Sequence, residues 1–128
     1  MSSLQAADRE AAAVAKAPRV ALADIEAAIG GRFEMIAGEA MRRTGFEGVE
    51  WTLLNHTEGP DATRPLDRLS ICILVMKNGF TIIGKSAPAS PENFNRELGK
   101  KLAYEDAVRQ LWPLMGFALR DRLASRPA

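Results

Sequence analysis

The segment 71–83 constrains the fold more than any other part of this 128-residue chain. An apolar run over 71–76 and a second one from Phe80 flank the dipeptide Asn78-Gly79. Asn-Gly in this setting is a strong signal for a β-hairpin with a two-residue type I′ turn, because that turn needs positive φ at both central residues. The predicted register pairs Lys77 with Phe80, Val75 with Ile82 and Ile73 with Gly84.

Both faces of the predicted hairpin are apolar. Such a hairpin has to be covered on both sides, by helices or by another subunit, so we expect a homo-oligomer. Leu74, Met76 and Trp112 are candidate interface residues, although Trp112 is also suited to the core. In this register one face carries Ile71, Ile73, Val75, Phe80 and Ile82, and the other carries Cys72, Leu74, Met76, Thr81 and Ile83. Gly84, within a strand, indicates a bulge or a close backbone approach.

The first third of the chain predicts one short helix. Residues 1–18 are rich in alanine and end at Pro18, which is typical of a flexible arm, so we place a single domain at 19–125. Apolar side chains three and four residues apart predict a helix over 21–29 that ends at Gly30-Gly31. The segment 32–69 is harder to interpret: a strand is an option near Phe33, and another near residues 49–54.

A second, longer helix follows the hairpin. Ser90 is a good N-cap and Pro91 suits the first helical position, so the helix should start there and reach about residue 123, with a kink or break at Pro113. The predicted fold class is therefore α+β. It consists of an antiparallel hairpin, with an optional third strand, packed under a long kinked C-terminal helix, and a short N-terminal helix.

Composition argues against most catalytic and metal chemistry. Cys72 is the only cysteine and His56 the only histidine, which excludes an intramolecular disulfide and makes protein-supplied zinc or Cys–His catalysis improbable. We expect no enzyme activity, no metal and no cofactor. The net charge of +1 disfavours nucleic acid as a partner. There is no secretory pattern and no apolar run of membrane-spanning length, so we expect a cytoplasmic protein without a membrane partner.

One group of polar residues has the chemistry of an anion site. The cations lie near the end of the hairpin and the start of the long helix, where free N–H groups favour negative charge. A solvated surface is the alternative, since Glu92 and Glu97 share the zone. The candidate ligand-binding residues are Lys85, Ser86, Asn93, Arg96 and Lys100.

The motifs Asn78-Gly79-Phe80, Ser90-Pro91-Glu92-Asn93-Phe94 and Leu111-Trp112-Pro113-Leu114 carry a family resemblance. Together with Arg19-Val20 and the first helix, they resemble a family of small tailed-phage and prophage proteins. That family is named for the gene-49 product of coliphage N-four and the gene-66 product of a Shigella phage. The resemblance covers about half of the chain and leaves the middle unmatched. Pro88 stands where members of the family often have cysteine.

Proteins similar to this family include phage counter-defence sponges, which are oligomers that sequester the cyclic nucleotide signals of bacterial immunity. The resemblance therefore implies a non-enzymatic phage or prophage protein. In this interpretation it sequesters a small anionic, nucleotide-like ligand as a homo-oligomer in the bacterial host. The alternative is an accessory protein that binds a host protein in the cytoplasm.

Overall fold

A computed structural model describes residues 2–52, 54–55 and 61–127. The helices are α1 (Ser3–Val14), α2 (Leu22–Ala28), α3 (Ala37–Arg43) and α4 (Arg96–Ala124), and the strands are β1 (Ile29–Ile36), β2 (Ser70–Met76) and β3 (Thr81–Ser86). Short 3-10 helices span Arg64–Arg68 and Pro91–Asn93. This α+β arrangement confirms the predicted fold class. No helix in the described part of the chain is both long and apolar enough to cross a membrane.

The sheet is antiparallel in the order β1-β2-β3, and its third strand is Ile29–Ile36. The alternative near residues 49–54 is wrong, since no strand forms in its described part, 49–52 and 54. The short helix is confirmed as α2, but Gly30-Gly31 does not end it. The chain turns extended at Ile29 and passes directly into β1, and the glycines accommodate a register shift in the β1–β2 pairing.

The hairpin is confirmed, but its loop has three residues instead of two. The N–H of Gly79 donates to the Met76 carbonyl at 2.9 Å, and the N–H of Met76 donates to the Phe80 carbonyl at 2.8 Å. Of the loop residues 77–79, only Gly79 has a positive φ, of +90°. This is the three-residue hairpin with a bulge glycine, in which a single residue adopts the left-handed conformation. The pairing is therefore shifted by one residue, with Val75 opposite Thr81.

A shift of one residue moves every side chain of β3 to the other face relative to β2. The inner face, toward the core, carries Cys72, Leu74, Met76 and Ile82, while the outer face carries Ile71, Ile73, Val75 and Ile83. Leu74 and Met76 are buried in the core of this chain, so another subunit cannot contact their side chains. Their predicted interface role is corrected accordingly, and the apolar face left open is the outer one.

Helix α4 covers the inner face of β2 and β3. Gly84 makes this possible: a Cβ at this position would lie 2.6 Å from the amide nitrogen of Ala107 and 2.8 Å from its Cβ. The close backbone approach predicted for Gly84 is thus confirmed. Along α4 the buried residues are Gly99, Ala103, Glu105, Ala107, Val108 and Leu111.

The two ends of α4 differ from the prediction. Asn95 is its N-cap, with the side-chain oxygen accepting from the Leu98 N–H at 3.0 Å. Ser90 and Pro91 begin the separate 3-10 helix instead. The helix continues through Pro113 to Ala124, so the predicted break is wrong, and the kink stays a prediction. Trp112 is half-buried against the core, and its indole N–H donates to the Val20 carbonyl at 3.0 Å.

Residues 3–14 of the expected arm form α1, whose Leu4 is buried with the core. Asp8 ties α1 to the rest of the chain. Its Oδ1 accepts from Arg19 Nη1 at 2.9 Å and from the Leu22 N–H at 3.0 Å. The predicted boundary between an arm, residues 1–18, and a single domain, residues 19–125, stays a prediction.

We expect Asp8→Asn to loosen α1. The Leu22 N–H and then Arg19 hold the pKa of the Asp8 carboxyl below its ordinary value. A carboxyl with a lowered folded-state pKa stabilises the fold above its unfolded pKa, and this contribution is lost as the pH falls below about 4. Amide exchange in α1 should be faster in Asp8→Asn at pH 7. In wild type, α1 helicity followed by NMR should decline below pH 4.

Glu10→Gln is the matched control, because it removes an exposed carboxylate from the same helix. Equal protection of α1 in Asp8→Asn and Glu10→Gln at pH 7 would show that Asp8 does not anchor it.

Candidate functional site

A groove runs along the inner side of β1, next to the N-terminal half of α4. Because α4 packs over β2 and β3, it leaves the inner-facing side chains of β1 partly open, and two of these are the charged Arg32 and Glu34. We call this feature the β1–α4 groove. It comprises three adjoining cavities of about 180, 270 and 330 Å³.

The groove alternates positive and negative side chains. The 180 Å³ cavity shares Arg96 and Glu34 with the 270 Å³ cavity, and shares Lys100 and Glu97 with the 330 Å³ cavity. The lining cations are Arg32, Arg43, Arg96, Lys100 and Lys101, and the lining carboxylates are Glu26, Glu34, Glu39, Glu97 and Glu105. A lining with both signs can contact the donors as well as the anionic oxygens of one ligand.

Several of these cations are held by carboxylates of the groove. Arg96 binds Glu39 through both terminal guanidinium nitrogens, Nη1 and Nη2, with Nη1 donating to Oε2 at 3.1 Å. This pair lowers the pKa of the Glu39 carboxyl and raises the pKa of Arg96. Lys100 Nζ lies 3.6 Å from Glu34 Oε2, and Glu34 also pairs with Arg32.

The 330 Å³ cavity contains an aromatic platform. The Arg32 guanidinium carbon lies 3.7 Å from the centroid of the Tyr104 ring. Burial raises the pKa of the Tyr104 phenol, so its hydroxyl remains protonated and neutral at pH 7. Guanidinium and phenol planes are surfaces on which a nucleobase can stack.

The sequence-predicted ligand residues are divided between two faces of the sheet. Arg96 and Lys100 line the β1–α4 groove. Lys85 lies opposite Ile71 in the register, on the outer face, and its backbone N–H donates to Asp106 at 2.9 Å. The one-residue shift of the hairpin separates it from the other two. Ser86 pairs with Ser70 at the end of β3, and Asn93 lies in the 3-10 helix before α4.

Arg32 and Tyr104 were missed by the sequence interpretation, whereas Lys101 belongs to the same basic cluster as Arg96 and Lys100 but was not among the candidate ligand residues. The signal for Arg32 was its alternation with Phe33, which is typical of a strand with one open face. Tyr104 carried no such signal, since its position on α4 becomes part of a site only when β1 lies beside it.

Cys72 is buried, and burial raises the pKa of its thiol. Within the described residues, no group of three or more His, Cys, Asp and Glu side chains could hold a metal ion. His56 lies outside the described residues. The expectation of a non-enzyme stays a prediction.

A family profile settles the resemblance. It is described as "Phage protein (N4 Gp49/phage Sf6 gene 66) family", and it matches residues 20–123. The chain belongs to this phage protein family. The match extends over α2, the whole sheet and α4 to Leu123, so it includes the middle of the chain that the motifs left unmatched. No curated protein and no solved structure matches the chain significantly.

Proposed function

We propose that this phage protein is a non-enzymatic binding protein that sequesters a small anionic, nucleotide-like ligand in the β1–α4 groove. In this proposal it acts as a homo-oligomer in the bacterial cytoplasm, and its ligands are cyclic nucleotide signals of host immunity. One observation carries the proposal: the Arg32–Tyr104 platform lies in the same cavity as Lys100 and Lys101.

The chemistry of the groove suits a nucleotide better than a simple anion. A base can stack on the Arg32–Tyr104 platform, while its phosphate contacts the two lysines. Glu26 and Glu97 can accept hydrogen bonds from the exocyclic amines or sugar hydroxyls of the same ligand. The volume of about 330 Å³ lies within the range of small-molecule sites.

The existing ion pairs do not prevent this binding. The side chains of Arg96 and Glu39 are both about half exposed, as is that of Lys100. Exposed ion pairs contribute about 0–1 kcal/mol, whereas hydrogen bonds to charged groups reach about 1.5–3 kcal/mol. A phosphate that bridges two cations can therefore displace carboxylate contacts of this kind.

The test is calorimetric titration of the full chain with 3′,3′-cyclic GMP–AMP as the probe. We expect Lys100→Ala combined with Lys101→Ala to weaken binding at least about tenfold, since two charge-assisted contacts to phosphate are lost. The control combines Lys16→Ala with Lys77→Ala. Both lysines are exposed: Lys16 follows the C-terminus of α1, and Lys77 lies in the hairpin loop. It changes the net charge equally and should keep wild-type affinity.

Lys85→Ala provides a further comparison. Because Lys85 lies on the outer face, its replacement should leave the affinity unchanged. Equal losses in both double variants would indicate non-specific electrostatics. Absence of wild-type binding across a panel of cyclic di- and trinucleotides would overturn the proposed ligand class.

The second candidate function is that of an accessory protein that binds a host protein. It is supported by the apolar outer face of the sheet, where Phe33 and Ile83 are exposed. A host protein that wild type retains in fixed ratio, and that Phe33→Glu does not retain, would favour this candidate over ligand sequestration.

A further inference from the structure

We propose that the outer face of the sheet is a homodimer interface, on which a second copy of this chain stacks its own outer face. This inference rests on the oligomeric part of the proposed function and is independent of its ligand. It concerns a surface on the side of the sheet opposite to the β1–α4 groove.

The outer face is apolar and open. Phe33 is 55% exposed and Ile83 is 59% exposed, while Ile73 between them is half-buried. The core residues of α1, α2 and α4 cluster on the inner face. The outward positions of the three strands are Gly31, Phe33, Met35, Ile71, Ile73, Val75, Thr81, Ile83 and Lys85.

Stacking of faces is favoured over pairing at the β3 edge. The Lys85 N–H at that edge donates to the Asp106 carboxylate, and the Ile83 carbonyl accepts from Gln110 Nε2 at 2.8 Å. Side chains of α4 thus occupy backbone groups that an added strand would need. The outer face therefore remains available for self-association of the sheet.

The pattern of charge on this face favours an apolar partner, and a second copy of the same face is one. Its strand positions include no carboxylate and one cation, Lys85 at one end, so it offers a charged partner almost nothing to pair with. Burying a partner's charge without a counter-charge is costly. A copy of the same face brings only Lys85, at the edge of the patch.

The register makes the face complementary to itself. Phe33, Ile73 and Ile83 form one row across the sheet. A two-fold axis parallel to the strands places Ile73 on Ile73 of the second copy, and Phe33 on its Ile83. With strands about 4.8 Å apart and sheets about 10 Å apart, the two Lys85 side chains start about 14 Å from each other. Charges at that distance are largely screened at physiological salt.

The size of the patch predicts a weak dimer. Three strands of about six residues present roughly 300 Å² per copy, against about 800 Å² for a standard interface. We therefore expect a dimer that dissociates at micromolar concentrations and exchanges with monomer.

Sedimentation of the full chain from roughly 1 μM to roughly 1 mM tests this. Wild type should shift from monomer to dimer. Phe33→Glu should weaken the dimer at least about tenfold, because it buries a charge at the interface. Phe117→Glu is the matched control: Phe117 is 70% exposed on α4, the substitution is the same, and the dimer should be unchanged.

Two substitutions of opposite charge, at Phe33 and Ile83, test the two-fold arrangement of the copies. They also distinguish a lost interface from a misfolded variant. Ile83→Lys alone should also weaken the dimer, whereas Phe33→Glu combined with Ile83→Lys should restore it through pairs between the copies. Far-UV circular dichroism checks that each variant is folded. A double variant that stays monomeric would overturn the two-fold arrangement.

Other outcomes overturn the inference in distinct ways. A wild type that is monomeric throughout rejects the interface, and the proposed ligand survives if that monomer still binds cyclic GMP–AMP. A dimer lost with Phe117→Glu but kept with Phe33→Glu places the interface on α4. If the wild type is monomeric and Phe33→Glu abolishes its binding to a host protein, the outer face binds that host protein instead.

Discussion

Gly84→Ala is expected to lower the free energy of unfolding by about 3 kcal/mol, at the upper end of overpacking effects. The added methyl group would meet the backbone of α4, with the Ala107 amide nitrogen 2.6 Å away. Backbone of a helix cannot rotate aside as a flexible side chain can. The helix would have to move off the sheet and open the core beneath it.

Gly116→Ala is the control for the same chemical change. Gly116 lies inside α4, and apart from the adjoining backbone of that helix no atom of the described residues lies within 4 Å of a Cβ at this position. Alanine in a helix is favoured over glycine by roughly 0.5–1 kcal/mol, so this variant should be more stable than wild type. Urea unfolding measures both. A Gly84→Ala variant as stable as wild type would show that α4 does not contact β3 at this point.

Ile82→Ala and Ile83→Ala should differ by about 1–5 kcal/mol in the free energy of unfolding, although the two residues are neighbours. Ile82 is 7% exposed on the inner face, so its truncation leaves a cavity that costs about 2–5 kcal/mol. Ile83 is on the outer face, and its truncation should cost less than about 1 kcal/mol, mainly through lower strand propensity. The difference reports directly on which face each residue occupies.

This pair also decides between two registers of the hairpin. A two-residue loop would place Ile83 with Leu74, and a three-residue loop places Ile82 there instead. Urea unfolding of both variants should be done at low protein concentration, where the chain is monomeric. A larger loss in Ile83→Ala than in Ile82→Ala would contradict the observed register.

The hairpin shows what local sequence can and cannot predict. Asn78-Gly79 correctly predicted the turn, but Asn-Gly fits both a type I′ loop and a three-residue loop with a bulge glycine. The choice depends on α4, because only the observed register turns Gly84 toward Ala107 and lets the helix approach. That contact lies more than 20 residues away in sequence and left no local signal.

In the rest of the fold, too, local sequence predicts some elements, while others depend on contacts between distant parts of the chain. α2 was predicted from periodicity, and the cap of α4 was misplaced because Ser90-Pro91 and Asn95 are both good local starts. β1 was left as one option for a strand, and its two charged residues, Arg32 and Glu34, line the groove. The site itself needed β1 beside α4, so the sequence predicted Arg96 and Lys100 but not Arg32.

Native mass spectrometry with and without 3′,3′-cyclic GMP–AMP tests the central claim most directly. We expect one ligand mass per protomer, in the monomer at low protein concentration and in the dimer at the high end of the range used for sedimentation. This mass should be released when the chain unfolds, and the Lys100→Ala/Lys101→Ala variant should need at least about tenfold more ligand to gain it. A chain that gains no mass at any ligand concentration would contradict the sequestered ligand, and one that is still monomeric at the highest protein concentration would contradict the stacked sheets.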